Sequence, residues 1–301
     1  MTSEQRKTRW LRVGVGLFWV LGISLLLWIG WRFRNEIVPF LAGVNPWGLG
    51  KAFIWFLLSL VAIVAGWVAL MRHFSPSLHW WTHVRIYCVT LATRRLPGTL
   101  WYVGGRLVLY RREGISRALV SIASSVEYAV IIVSGGLVGL VLLPAAAAIP
   151  GGAAAALALA ALLVLFSPRL VAWLARRIGR PLPVAIGFLD VLGWLAALGM
   201  MWLCGGMMLV ELIRSFSPLP TDQAIFVLGA WALTGTLGAL TFALPSSFGV
   251  GDISLALLLA QIMPLMEAGT IAVMARFIGL LFEILTAAVF LPWIRKAAPE
   301  P

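Results

Sequence analysis

Five ionisable residues interrupt otherwise apolar stretches: Glu127, Asp190, Asp252, Arg276 and Glu283. A charged side chain in hydrocarbon costs at least about 2.5 to 3.5 kcal/mol on insertion scales, so each needs a partner, a wet cavity or a function. Arg276 is the most informative, being the only basic residue between Arg214 and Arg295. Three roles are open to it: an ion pair with Asp252 or Glu283, a bond to a substrate phosphate, or a side chain reaching the membrane interface. Arg276 and Glu283 lie seven positions apart, which on a helix returns to one face within about 20° and about 10 Å further along the axis. Glu127 and Asp190 read as interior and functional. Glu211, near the end of an apolar run, reads as a carboxylate that reaches water.

Other chemistries find less support. His79 and His83 are spaced for one helix face, but no Cys or carboxylate cluster accompanies them and the HExxH pattern is missing, so neither metal nor cofactor is expected. Gly135-Gly136-x-x-Gly139 and the glycines near 205 read as close helix packing. Gly249-Val250-Gly251-Asp252 has no lysine and no strand-helix context for a nucleotide. No serine or threonine has a histidine partner in a readable pattern, and Cys88 and Cys204 read as buried thiols. The chain is not expected to be an enzyme.

The elements that position these groups follow from composition. Of 301 residues, 61% are hydrophobic and 11% charged, against about a quarter charged in soluble domains. This excludes a soluble enzyme, a disordered chain and a disulfide scaffold. The expectation is an all-α, polytopic membrane bundle forming one domain over 1–301, with about seven or eight crossings. Apolar runs lie at 13–31, 52–71, 118–143, 151–166, 184–213, 223–244 and 269–293; an eighth, 253–266, is short and contains Pro264, so a crossing and a re-entrant hairpin both remain open. The net charge of +12 does not point to nucleic acid, because the basic residues bracket apolar runs. By the positive-inside rule the tail 1–12 is cytoplasmic, together with 72–117 and 169–180, while the opposite loops hold only Arg32, Arg34, Lys51 and Arg214.

Two segments break the pattern. Around 85–117 an apolar run meets Arg94-Arg95, Pro97-Gly98 and Gly104-Gly105-Arg106; around 245–266 another meets Pro245-Ser246-Ser247-Phe248-Gly249-Val250-Gly251-Asp252. Both imply backbone that leaves the helix, tolerable at membrane depth only beside protein or a wet cavity. Upstream of the first, 76–85 reads as a short interfacial helix carrying Trp80 and Trp81. Each break opens with Leu-Pro, continues through glycine and precedes a span bearing a carboxylate, Glu127 or Glu283. Paired interruptions in corresponding halves point to a transporter binding site.

These blocks carry a resemblance. Arg95-Leu96-Pro97-Gly98, Gly105-Arg106, Glu113-Gly114 and Glu127, with the later Leu244-Pro245 loop, Asp252, Arg276 and Glu283, resemble the flippase-like membrane family that includes the lysylphosphatidylglycerol synthase transmembrane region. That family's second block more usually has an arginine before its acid, where this chain has Gly251 before Asp252. The resemblance implies a multispanning protein of a prokaryotic cytoplasmic membrane that acts on phospholipids, aminoacylated lipids or lipid-linked sugars. Any lipid-modifying domain is expected on a separate polypeptide, and self-association stays open.

The function expected is ATP-independent movement of a polar-headed lipid between leaflets. Arg94, Arg95 and Arg106 would attract the head from the cytoplasmic side, Arg276 would receive its phosphate, and Glu127, Asp190, Asp252 and Glu283 would hold an amine or carry protons. The alternative is a non-transporting subunit that recruits or regulates a lipid-modifying enzyme.

Overall fold

The computed structural model describes residues 42–91, 93, 100–143, 167–179, 181–240 and 247–295. The apolar runs 13–31 and 151–166, and both Arg94 and Arg95, lie outside the described residues. The chain divides into two units, 1–44 and 45–301, and the architecture below is that of the second.

Among the described residues every regular element is a helix: α1 (Pro46–Phe74), α2 (Trp80–Leu91), α3 (Leu100–Arg112), α4 (Arg117–Leu142), α5 (Phe188–Arg214), α6 (Thr221–Leu240), α7 (Ser247–Leu259) and α8 (Leu265–Arg295). A further helical stretch covers 167–177. Helices α1, α4, α5, α6 and α8 are long and apolar enough to cross a membrane. Their outward faces are apolar as well: Ile54, Leu57 and Val61 of α1 and Phe277, Leu281, Ile284 and Val289 of α8 are exposed. Stripes of this kind suit a lipid surround and are too extensive for water.

Local chemistry sets the helix starts. Asn45 accepts the Trp47 N–H at 3.0 Å and Pro46 occupies the first turn of α1; Ser116 caps α4 through the Leu119 N–H. Glycines then allow close approach. A Cβ on Gly48 would lie 2.8 Å from Ser215 Cβ, and one on Gly139 3.0 Å from Leu233, so backbones pack where a side chain could not fit.

Helices α1 and α5 run antiparallel: the Asn45 N–H bonds Ser215 O at one end and Val184 N–H bonds His73 O at the other. Helix α4 runs antiparallel to α6, with Tyr128 against Ala239 and Leu143 against Gly229. The short helices form hairpins. In α2–α3, His83 meets Tyr110 and Thr90 meets Gly105, with the open end beside the start of α4 and the end of α1. In α6–α7, Gly251 lies against Thr234 and Gly238, and the hairpin opens at the opposite end of the bundle, where α5 finishes. Helix α8 returns from there, placing Phe290 on Trp81 and Trp293 O on Arg85.

The sequence of elements therefore repeats with inverted direction. A long helix, a hairpin and a long helix (α1, α2–α3, α4) are followed by the same series (α5, α6–α7, α8) pointing the other way. Leu96-Pro97 and Leu244-Pro245, two of the six Leu-Pro pairs in the sequence, stand in the chain between α2 and α3 and between α6 and α7, outside the described residues.

Two sequence expectations need correction. Gly104-Gly105 does not break the chain but lies inside α3, because Gly105 faces Thr90 Cγ2 at 3.2 Å from where a Cβ would stand: the glycine is spent on helix contact. Residues 247–252 likewise belong to α7, with Gly249 absorbing a φ of 107°. Helix α7 has 13 residues, about 20 Å, too short to cross a 30 Å core by itself.

Candidate functional site

A cavity of about 250 Å³ lies halfway along the bundle, lined by every one of α1 to α8. Its level is fixed by the helices it touches: Phe56 to Ile63 of α1, Tyr128 and Ile131 of α4, and Met201 and Trp202 of α5, each near the midpoint of its helix. The closing ends of both hairpins reach it, α2–α3 through Leu91 and Tyr102 and α6–α7 through Gly238, Ala239, Gly251 and Asp252.

Three of the sequence-chosen residues meet there. Arg276 on α8 donates from Nη1 to Asp252 Oδ2 on α7, and Glu283, two turns along α8, lines the same cavity. The spacing of seven does place Arg276 and Glu283 toward one space. The ion pair is part-exposed, 24% for Arg276 and 32% for Asp252, whereas Glu283 is 3% exposed. Tyr128 contributes an aromatic wall and donates its hydroxyl to Ala239 O at 2.7 Å. Ser59 and Thr234 also line the cavity, but their hydroxyls donate to Met201 O and Ala230 O, both at 2.8 Å.

Glu127 lies behind the wall and not in the cavity. Its partner is Arg106 of α3, bonded through Nη1 to Oε2 and through Nη2 to Oε1 at 3.5 Å. Tyr87 OH donates to Oε1 at 2.9 Å. The guanidinium carbon stands 4.0 Å from the Trp67 ring, 4.3 Å from Tyr87 and 4.8 Å from Tyr102. Side-chain exposure of the pair is 2% and 3%. Desolvated cation–ring contacts are worth about 2 kcal/mol or more, which helps offset the cost of burying both charges. This corrects the sequence reading of Arg106 as part of an exposed basic surface. It is a core residue whose carboxylate partner, 21 positions along the chain, no local pattern announces.

Asp190 is also placed elsewhere. It sits in the first turn of α5, accepts the Gly187 N–H at 2.7 Å and faces His73 Nε2 at 3.4 Å. A carboxylate at a helix start is a cap, favoured by the helix dipole, and Asp190 does not join the mid-bundle group. Glu211 bonds Arg214 at 3.0 Å. His83 Nδ1 and Tyr110 OH share a hydrogen bond at 2.9 Å, and the same hydroxyl accepts from Trp67 Nε1 at 2.9 Å.

Sequence reasoning passed over Trp67, Tyr87, Tyr102 and Tyr128. A signal existed: the chain has only 4 tyrosines, against 15 tryptophans and 15 phenylalanines. All four, including Tyr110, fall between α2 and α4. An apolar bundle that confines its phenols to one region is using their hydroxyls.

Comparison with protein-family models and with curated proteins finds no match.

Proposed function

We propose that the protein moves a polar-headed lipid between membrane leaflets without ATP, holding the headgroup in the mid-bundle cavity. One observation carries this reading: Arg276, Asp252 and Glu283 converge on a cavity of about 250 Å³ at the middle of an apolar bundle. The acyl chains of such a lipid can stay in the bilayer, while its head needs a polar place at the depth where exposure is most costly. An arginine can leave a carboxylate for a phosphate, since both accept bidentate bonds. The two hairpins, open at opposite ends and closing on the cavity, are read as re-entrant, the arrangement by which broken helices line midplane sites in inverted-repeat transporters. The resemblance of the Leu-Pro blocks to the flippase-like family points the same way.

The end carrying Arg72, Arg85, Arg111, Arg112 and Arg117 is assigned to the cytoplasm of a prokaryotic membrane by the positive-inside rule. With 13–31 and 151–166 as further crossings beside α1, α4, α5 and α8, and with both hairpins re-entrant, the number of crossings is even. Both termini are then cytoplasmic.

The test is leaflet exchange in liposomes containing the purified protein, with fluorescent lipids of anionic, aminoacylated, zwitterionic and sugar-bearing heads and an impermeant quencher. Wild type accelerates exchange of at least one class, and Arg276→Ala and Asp252→Asn each slow it about tenfold or more. Rates equal to those of empty vesicles across all heads would replace this reading with that of a membrane subunit serving a lipid-modifying enzyme.

A further inference from the structure

We infer that the buried Arg106–Glu127 pair is a second headgroup site, the counterpart of Arg276–Asp252 in the inverted half, and that it takes a head carrying both a phosphate and an ammonium group. The inference rests on the lipid-movement reading and names its substrate class. The correspondence is positional. Arg106 lies six residues into α3 and Glu127 ten into α4; Asp252 lies five into α7 and Arg276 eleven into α8. Each pair joins the second hairpin helix of its half to the long helix that follows, with cation and carboxylate exchanged between them. The Pro-to-partner distances agree too, Glu127 standing 30 residues after Pro97 and Arg276 31 after Pro245. One pair is sealed and the other opens on the cavity, so the two halves are caught in different states of the same device.

The sealed site has the chemistry of an ammonium receptor. Three aromatic faces around a cation with a carboxylate behind it is how proteins recognise alkylammonium groups, and here the chain's own guanidinium fills the space. It fills it imperfectly: Arg106 Nε is buried and has no hydrogen-bond partner among the described residues. A void of about 10 Å³ adjoins the pair, and Leu91, Tyr102 and Ile131 line both that void and the large cavity. Displacement of Tyr102 would join the two spaces.

Charge pairing then selects the ligand. Separating Arg106 from Glu127 leaves two desolvated charges, a cost of several kcal/mol for each one unpaired. An anionic head satisfies Arg106 alone and strands Glu127. A cationic head does the reverse. A phosphate–ammonium head satisfies both at once, its phosphate on Arg106 and its ammonium between the rings and Glu127, so no buried charge is left alone.

Calorimetry on the full-length protein in maltoside detergent, titrated with dihexanoyl phosphatidylcholine and dihexanoyl phosphatidylglycerol, tests this. The choline lipid binds about tenfold more tightly, and the preference disappears in Glu127→Gln. Tyr102→Leu, which removes one ring from the partition and leaves the ion pair, reduces the preference and serves if the first variant fails to accumulate. Equal affinities, tighter binding of the glycerol lipid, or a preference unchanged in the variants would overturn the inference. The liposome assay separates the two ideas. Exchange of phosphatidylglycerol without phosphatidylcholine sinks the headgroup assignment and leaves lipid movement standing; selective choline binding with no exchange of any lipid does the opposite.

Discussion

Trp202 stands between two glycines, and the cavity depends on that placement. A Cβ on Gly135 would lie 2.7 Å from Trp202 Cε2, and one on Gly235 would collide with Cζ3 of the same ring. The indole is held by a 3.1 Å bond from Nε1 to Ile131 O, and a Cβ on Gly135 would also collide with Thr236 Oγ1, so an alanine there must displace packed side chains beside the cavity. Gly135→Ala is therefore expected to lower the thermal midpoint and leaflet exchange together. Gly136→Ala meets nothing within 4 Å and should be neutral or slightly stabilising, by up to about 1 kcal/mol of helix propensity. Size-exclusion melting curves of the two variants make the comparison. The Arg106–Glu127 pair gives a sharper case. Arg106→Ala leaves a buried carboxylate unpaired at a cost of about 3 to 5 kcal/mol, whereas the double change Arg106→Met with Glu127→Leu removes both charges and should recover most of that loss. Melting curves showing the double variant no better than the single one would mean the cage depends on the cation itself.

At the scale of elements, hairpin α2–α3 is fastened to α1 by a chain of bonds in which Trp67 donates to Tyr110 and Tyr110 shares a hydrogen bond with His83. The fold favours a neutral imidazole there. Burial first, and the neighbouring Arg72 second, push His83 down to about 4, against a small opposing effect from the Ser75 backbone. Because the folded state disfavours the proton, the contribution of His83 is complete above about 6.5 and is lost as pH falls toward 4. The thermal midpoint of wild type should fall over that window, and His83→Gln, whose amide does not titrate and can still bond Tyr110, should flatten the fall. A profile unchanged by that substitution would place the acid sensitivity elsewhere. This hairpin also shows where sequence stops being informative. Hydropathy found the long helices within a few residues, since continuous apolar runs leave few alternatives. Gly104-Gly105 misled because a glycine pair reads the same whether it breaks a helix or lets Thr90 approach one. The partner of Glu127, Arg106, is not legible either, because the two stand 21 positions apart on different helices.

For the molecule as a whole, the directions of the described helices bear on a question that charge counting leaves open. An odd number of crossings would put Arg295 and Lys296 on the face opposite the other basic clusters, against the positive-inside rule. The helix directions are independent of that count. Helix α1 runs toward the basic end, α5 runs away from it, and α6–α7 turns back on itself. Helix α8 then finishes beside Arg85, whose guanidinium bonds Trp293 O at 3.2 Å. The C-terminal end of α8 thus shares an end with Arg111, Arg112 and Arg117, which connect α3 to α4. The two exposed ends can be told apart with an impermeant thiol reagent on intact cells, because both native cysteines are buried. Cysteines introduced at Glu113 and Trp293 should be protected together and become reactive only after the membrane is opened, while one at Asp222, at the start of α6, should react in intact cells. Trp293 labelled along with Asp222 would mean that α6–α7 does not return, and the inverted relation between the halves, with the matching of their two ion pairs, would fall with it.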